Sequence, residues 1–270
     1  MQQSRIIPGF NLSLGYTITF LSLVVLIPLA GLFLFSAQIS AEQFVKLITS
    51  RQLLLALGLS LKTALGAAIL NSFIGLLLAW VLVRYQFWGK RLMDTFIDMP
   101  FALPTAVAGI ALTAIYSRNG IIGQFFDTKI AYSSLGITLA LLFVTLPFVV
   151  RTLQPVLEDL PKDVEEAAAM LGASPFQTFR YVIFPAILPA WITGFTLAFA
   201  RGIGEYGSVV FISGNLPFRT EILPLVIMSK LDQYDYIGAA TIGALMLIIS
   251  FLLIFAINQI QRYFAKRTTK

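Results

Sequence analysis

Neither cysteine nor histidine occurs in this chain of 270 residues. Without cysteine there is no disulfide and no thiolate metal site, and the redox compartment leaves no mark on the sequence. Without histidine the commonest general base and metal ligand is missing, and most hydrolytic mechanisms go with it. Charge is scarce too: 12% of the residues are charged, against 58% hydrophobic. With a mean hydropathy of +0.85, a soluble domain of this size would expose large apolar patches. The composition is that of a polytopic membrane protein. No G-x-x-x-x-G-K-[ST] run occurs, and Gly89-Lys90 is followed by Arg91 without the upstream glycine. The chain therefore does not cradle ATP phosphates itself. No paired-carboxylate or serine-based arrangement stands out, so no catalytic residue and no metal site is expected. There is no internal repeat, low-complexity tract or separable soluble domain, and residues 1–270 read as one transmembrane unit.

What is present is a series of long apolar runs. Six can cross a hydrocarbon core of about 30 Å, which takes roughly 20 helical residues: Leu14–Phe35, Leu53–Val83, Thr95–Tyr116, Leu135–Leu153, Ala190–Ser213 and Ile237–Gln259. The fold class is all-α. The second run is longer than needed, so it tilts or starts outside the membrane. The third contains Pro100 and Pro104; proline frees a carbonyl that needs a partner or water, which suits a helix lining a pathway. Ala37–Gln52, Ser117–Ser134 and Gly214–Tyr236 read as short external loops. The last, with Asp232, Gln233, Tyr234, Asp235 and Tyr236, is a place to meet a soluble partner or simply a solvated loop. Met1–Pro8 carries one Arg, and the run after it is long enough to span, so no cleavable signal peptide is expected.

Lys and Arg set the orientation. With the N-terminus inside, the cytoplasmic segments hold eleven: Arg5, Arg84, Lys90, Arg91, Arg151, Lys162, Arg180, Arg262, Lys266, Arg267 and Lys270. The other side holds six: Lys46, Arg51, Arg118, Lys129, Arg219 and Lys230. Both termini are thus expected in the cytoplasm. The net charge of +6 is spent on orientation rather than on nucleic acid. Lys62 lies near the outer end of a long helix, where it snorkels.

The one long charged stretch between two spans is Pro161–Pro189. Pro161 opens a helix, and Asp163, Glu165 and Glu166 place negative charge at its positive end. Val164, Ala168 and Leu171 share a face, and Gly172 supplies a left-handed stop. Ser174, Pro175 and Gln177 then form a capping box for a second helix. Phe176, Phe179 and Ile183 make its stripe, and Pro185 is expected to close it. Two such short helices need a partner surface.

A second cluster lies inside the fifth run, Ala200-Arg201-Gly202-Ile203-Gly204-Glu205-Tyr206-Gly207. Arg201 and Glu205, four apart, can pair, and charges at membrane depth usually face a bundle interior or a water-filled path. The glycines let another helix or a solute approach. Two readings stay open: an ion pair that locks helices, and a pathway or gate that includes Arg201, Glu205, Tyr206 and Ser208. A third cluster, Asp98 with Pro100, Pro104 and Gly109, contributes Asp98 and Pro104 as further pathway candidates.

Glu166-Ala167-Ala168, then Gly172, then Val182-Ile183-Phe184-Pro185 resembles the EAA signature of ABC importer permeases. The third-helix pattern around Asp98 resembles that of oxyanion permeases. The run Gly204-Glu205-Tyr206-Gly207-Ser208-Val209-Val210-Phe211-Ile212-Ser213-Gly214-Asn215-Leu216-Pro217, with Thr220-Glu221-Ile222 and Gln233-Tyr234-Asp235-Tyr236, is similar to T-type permeases of sulfate/thiosulfate importers, and molybdate permeases are close to these. The resemblance implies a type I importer permease fold in the inner membrane. In it Glu165, Glu166, Ala167, Ala168, Gly172, Ser174 and Pro185 belong to coupling helices seated in an ATPase subunit. It further implies a second permease subunit, two cytoplasmic ABC ATPases that bind the ATP and Mg, and an extracytoplasmic sulfate-binding protein. No cofactor is expected on this chain. A secondary transporter would leave the coupling segment without a partner, and a membrane enzyme would need groups the chain lacks.

Overall fold

A computed structural model describes residues 9–268; Arg5 and Lys270 of the charge count lie outside them. The described residues form helices joined by turns, with no strand. In order these are α1 (Phe10–Leu21), α2 (Ile27–Ser36), α3 (Ala41–Ile48), α4 (Arg51–Arg84), α5 (Lys90–Ala102), α6 (Thr105–Tyr116) and α7 (Ser134–Glu158). Then come α8 (Lys162–Met170), α9 (Pro175–Thr178), α10 (Phe184–Ile203), α11 (Gly207–Ile212), α12 (Leu223–Asp232) and α13 (Tyr236–Thr268).

Among the described residues, five continuous helical stretches are long and apolar enough to cross a membrane: Leu12–Ser36, Arg51–Arg84, Ser134–Glu158, Pro175–Ile203 and Tyr236–Gln259. The sixth expected run is a bent pair. α5 and α6 meet at 114°, because Leu103, which precedes Pro104, is forced into extended backbone (φ −86°, ψ 135°). The fifth run is also interrupted: α10 stops at Ile203, and Gly204, Glu205 and Tyr206 lead into the separate α11. Two of the expected external loops contain α-helices, and the third, Ser117–Ser134, a single 3-10 turn at Gly123–Phe125. α3 is held by a complete Ser40–Gln43 capping box, and α12 packs against α13 and the N-terminal part of α4.

Pro185 does not end a helix, contrary to the expectation. The turn Phe179–Ile183 widens to π geometry, the Phe184 amide donates to the Phe179 carbonyl, and the helix continues from Pro175 to Ile203. A second π turn, Ser22–Leu26, stands in the same relation to Pro28. Each proline lacks an N–H and its ring crowds the carbonyl four residues back. One extra residue in the preceding turn relieves that crowding without breaking the helix.

α4, α7 and α10 form the centre. Ala64, Ala67, Ala68 and Ala79 of α4 are buried against Ile137, Leu141, Val149, Val150 and Leu153 of α7 and Ile187, Ala198 and Phe199 of α10. Small residues allow this approach. A β-carbon on Gly75 would stand 2.7 Å from Val149 Cγ1, and one on Gly194 3.1 Å from Val149 Cα. Polar side chains inside this core find partners, as they must away from water. Asn71 Nδ2 donates to the Leu142 carbonyl (2.9 Å) and Thr145 Oγ1 (2.8 Å), and Trp191 Nε1 donates to the Ser72 carbonyl (2.8 Å). The first span touches the rest chiefly where α2 packs on α13, with Ser36 Oγ donating to Thr241 Oγ1. The remaining apolar surface of α1 and α2 is exposed, as suits a face covered by lipid or another membrane subunit.

Candidate functional site

The charged segment between α7 and α10 folds as its residues dictate. α8 ends in a Schellman turn: Gly172 takes φ +83°, its amide donates to the Ala169 carbonyl, and that of Ala173 donates to the Ala168 carbonyl. Ser174 then caps α9, with Gln177 N–H on Ser174 Oγ (3.3 Å) and Ser174 N–H on Gln177 Oε1 (2.7 Å). The two adjacent glutamates part company. Glu165 turns inward to an ion pair with Arg84, whose guanidinium also lies 5.6 Å from the Trp80 ring centre. Trp80 in turn meets Phe179 edge-on, so Glu165 fastens α8 to the C-terminal end of α4. Glu166 is exposed, as are Ala167, Met170 and Leu171, the last two at 90%. Phe176 and Tyr181 are exposed beyond the turn. The segment thus presents a carboxylate and several apolar side chains that none of the described residues covers.

The second site forms where the two interrupted spans meet. α6 and α11 lie backbone to backbone. A β-carbon on Gly109 would stand 2.4 Å from the Ser208 carbonyl oxygen, and one on Gly207 2.1 Å from Thr105 Oγ1. Gly109 and Gly207 are therefore required by the approach itself. Pro104 precedes the first residue of α6, which puts the bend of one span beside the break of the other. Glu205 is buried (1% exposed) and serves two partners. Its Oε1 accepts from the Ser208 amide (2.9 Å) and hydroxyl (3.0 Å), and its Oε2 pairs with Arg201 across the end of α10. A carboxylate at the start of a helix also suits the dipole there.

The candidates therefore divide. Glu205 and Ser208 are buried in the joint, whereas Arg201 is half-buried and Tyr206 and Gly204 are exposed. Open space surrounds Gly204, while Gly202 packs on Ala64 of α4.

Asp98 lies apart from this joint. Arg151 of α7 grips it with two bonds, Nε to Oδ1 (2.7 Å) and Nη2 to Oδ2 (2.6 Å). The same guanidinium reaches Asp94 Oδ1 (2.7 Å), the Asp94 carbonyl (3.0 Å) and Gln154 Oε1. Planar two-point pairing of this kind fixes orientation as well as charge. It clamps α5 to α7 just before the bend. Sequence reasoning counted Arg151 only toward orientation and passed over Asp94 and Gln154. The signal was there in Asp94 and Asp98, four apart on one helical face.

At the end of α12, Tyr234 takes φ +61°. The Lys230 ammonium (2.8 Å) and then the Gly238 amide (2.9 Å) hold the Asp235 carboxyl below its ordinary range. The Gln233–Tyr236 run is thus a rigid connection between α12 and α13.

Against known families, residues 71–270 match the model of the binding-protein-dependent transport system inner membrane component. The chain belongs to that family. Members are transport components, and ATP hydrolysis lies outside this chain. Among curated proteins, the sulfate transport system permease protein CysT of Salmonella typhimurium is 46% identical over 266 residues, covering 97% of this chain and 96% of that one. The probable sulfate transport permease of Nephroselmis olivacea is 50% identical over 248 residues, 91% of this chain and 87% of that one. Among solved structures, a bacterial alginate ABC importer matches with a TM-score of 0.79 at 15% identity over 94% of this chain and 95% of that one. The inward-facing methionine transporter MetNI matches with a TM-score of 0.60 at 20% identity over 84% and 99%. At such identities the structural matches establish the fold alone: a type I ABC importer permease.

Proposed function

We propose that this chain is a permease subunit of an ATP-driven importer for sulfate and thiosulfate, supplying half of the anion pathway. The observation that carries the reading is near-half identity to sulfate permeases over 97% of the chain. A second, similar permease chain completes the pathway, and two cytoplasmic ATPases seat the coupling segment 161–189 through Glu166 and its exposed apolar neighbours. An extracytoplasmic binding protein delivers and mainly selects the anion. The protein sits in the inner membrane with both termini in the cytoplasm. Arg201, with Tyr206 beside it, faces the pathway; Glu205, Ser208 and Pro104 hold the joint that positions it, and Asp98 holds α5 to α7. Arg201 attracts the dianion without keeping it, since a site that binds tightly would not release.

The assembled transporter in proteoliposomes, with binding protein inside the assay, should take up labelled sulfate only with ATP. Unlabelled thiosulfate should compete and molybdate should not. Uptake driven without ATP, or molybdate preferred over sulfate, would overturn the assignment.

Orientation is checked independently, because the native chain has no cysteine. A cysteine at Gln177 should stay shielded from an impermeant thiol reagent in intact cells, while one at Thr128 should react. The partner experiment at Thr269 reports on a position outside the described residues. Labelling of Gln177 from outside would reverse the orientation and remove the coupling role.

A further inference from the structure

The turn from α4 into α5 has no part in the transport reading above. Residues 64–83 contain no charged side chain, so Arg84 marks the edge of the hydrocarbon and the turn lies at headgroup depth. Trp88 in that turn is 100% exposed, the position an indole takes at a membrane interface. Lys90 and Arg91 follow as the first two residues of α5, which has no acidic residue in its first turn and no side chain capping it. Cations there oppose the helix dipole. Neither has a carboxylate partner among the described residues; the nearby Asp94 is taken by Arg151. Residues 86–92 and Asp94 line a cavity of about 710 Å³. From its edge Leu92, Phe96 and Met99, at i, i+4 and i+7, run along α5 as an exposed apolar stripe. α5 meets α6 at 114°, so the two do not run as one straight span, and a polar helix with one apolar stripe suits the plane of the interface.

We propose that this corner binds one anionic phospholipid of the cytoplasmic leaflet. Its phosphodiester sits between Lys90 and Arg91, its glycerol region against Trp88, and an acyl chain along Leu92, Phe96 and Met99. The unbalanced positive charge requires an anion, and the apolar stripe that continues from it at membrane depth requires a lipid tail. An acidic patch on a soluble partner would satisfy the first and leave the second uncovered. The leaflet rests on the orientation proposed above; lipid retention does not, so the two readings fail separately.

The test is native mass spectrometry of the assembled transporter, released from detergent containing equal phosphatidylglycerol and phosphatidylcholine. Wild type should retain phosphatidylglycerol in preference by on the order of tenfold, as two cations near an anionic headgroup provide. Lys90→Gln with Arg91→Gln should abolish the preference, and Lys90→Arg with Arg91→Lys should keep it. Leu92→Ser with Phe96→Ser should lower retention of both lipids, and millimolar inorganic phosphate should not displace the bound one. Equal retention in wild type, or a preference unchanged in the double glutamine variant, overturns the proposal. So does full displacement by phosphate, which marks a free-anion site. Loss of the ATPase from the double glutamine variant with lipid retention unchanged would assign the surface to the ATPase and overturn it equally.

Discussion

Glu166→Lys should leave the chain inserted and folded while sulfate uptake falls about tenfold or more, the loss that roughly 1.4 kcal/mol of docking free energy brings. Glu166 is exposed and has no ion-pair partner among the described residues, so reversing its charge disturbs only what docks there. Glu165 is the built-in contrast. It pairs with Arg84 inside the chain, so Glu165→Gln loosens α8 from the bundle and keeps a hydrogen-bond acceptor. An ion pair that is partly exposed contributes about 1 kcal/mol or less, so that variant should transport at a moderately reduced rate. Gly172 tests the shape of the turn rather than its charge. A β-carbon there would meet nothing within 4 Å, yet φ is +83°. Gly172→Val therefore suffers from backbone conformation alone, by about 1–2 kcal/mol, and should uncouple transport from ATP hydrolysis. Gly172→Asn, which tolerates the left-handed region, should retain most activity. The measurement is uptake beside co-purification of the ATPase with the membrane subunits. Normal uptake in both Glu166→Lys and Gly172→Val would reduce the segment to an ordinary loop.

Much of this segment was legible in the residues because its signals are local. Gly172 as a left-handed stop and Ser174 with Gln177 as a capping box depend on neighbours within a few positions, and both stand in the structure as the sequence implies. Pro185 misled for the same reason turned around. A proline's local cost is real, but a π turn placed just before it absorbs that cost while the helix runs on. Nothing within the proline's own neighbourhood announces such a turn.

The bends of the third and fifth runs were half visible. Pro104 reads as a sign of a pathway-lining helix and Gly204 as room for an approaching neighbour, not as breaks, and hydropathy alone joins the apolar segments on either side into one span. The bend of the third run is local, at Leu103 before Pro104; what sets it beside the break of the fifth is tertiary, because α6 and α11 pack closely at Gly109 and Gly207. The Arg151 clamp was hidden because its partners lie more than fifty positions upstream, at Asp94 and Asp98. The pairing of Glu165, rather than Glu166, with Arg84 has the same long-range origin. In each case residue type was readable and partner was not.

The joint at Arg201 and Glu205 calls for a different pair of variants than spacing alone suggests. Exchanging the two residues would be a natural test of a simple ion pair. Here it should fail on stability, because Glu205 also accepts from the Ser208 amide and hydroxyl, and an arginine at that place accepts from neither. Removing Arg201 alone is equally ambiguous, since it leaves a buried carboxylate without its cation, at a cost of roughly 3–5 kcal/mol. The informative variant neutralises both. Arg201→Gln with Glu205→Gln keeps an acceptor for Ser208 and a polar contact between the two side chains, but removes the positive charge of the half-exposed Arg201. If Arg201 serves the pathway, this double variant should reach the membrane at near wild-type level and take up sulfate about tenfold or more slowly, a deficit of roughly 1.4 kcal/mol. Arg201→Lys should keep a larger share of uptake, because attraction of a dianion needs charge more than a planar fork. Membrane level and initial uptake rate, measured on the same cells, decide the matter. A double variant that transports normally, or one whose uptake falls only in step with its abundance, would make the pair a structural clamp between α10 and α11 and nothing more.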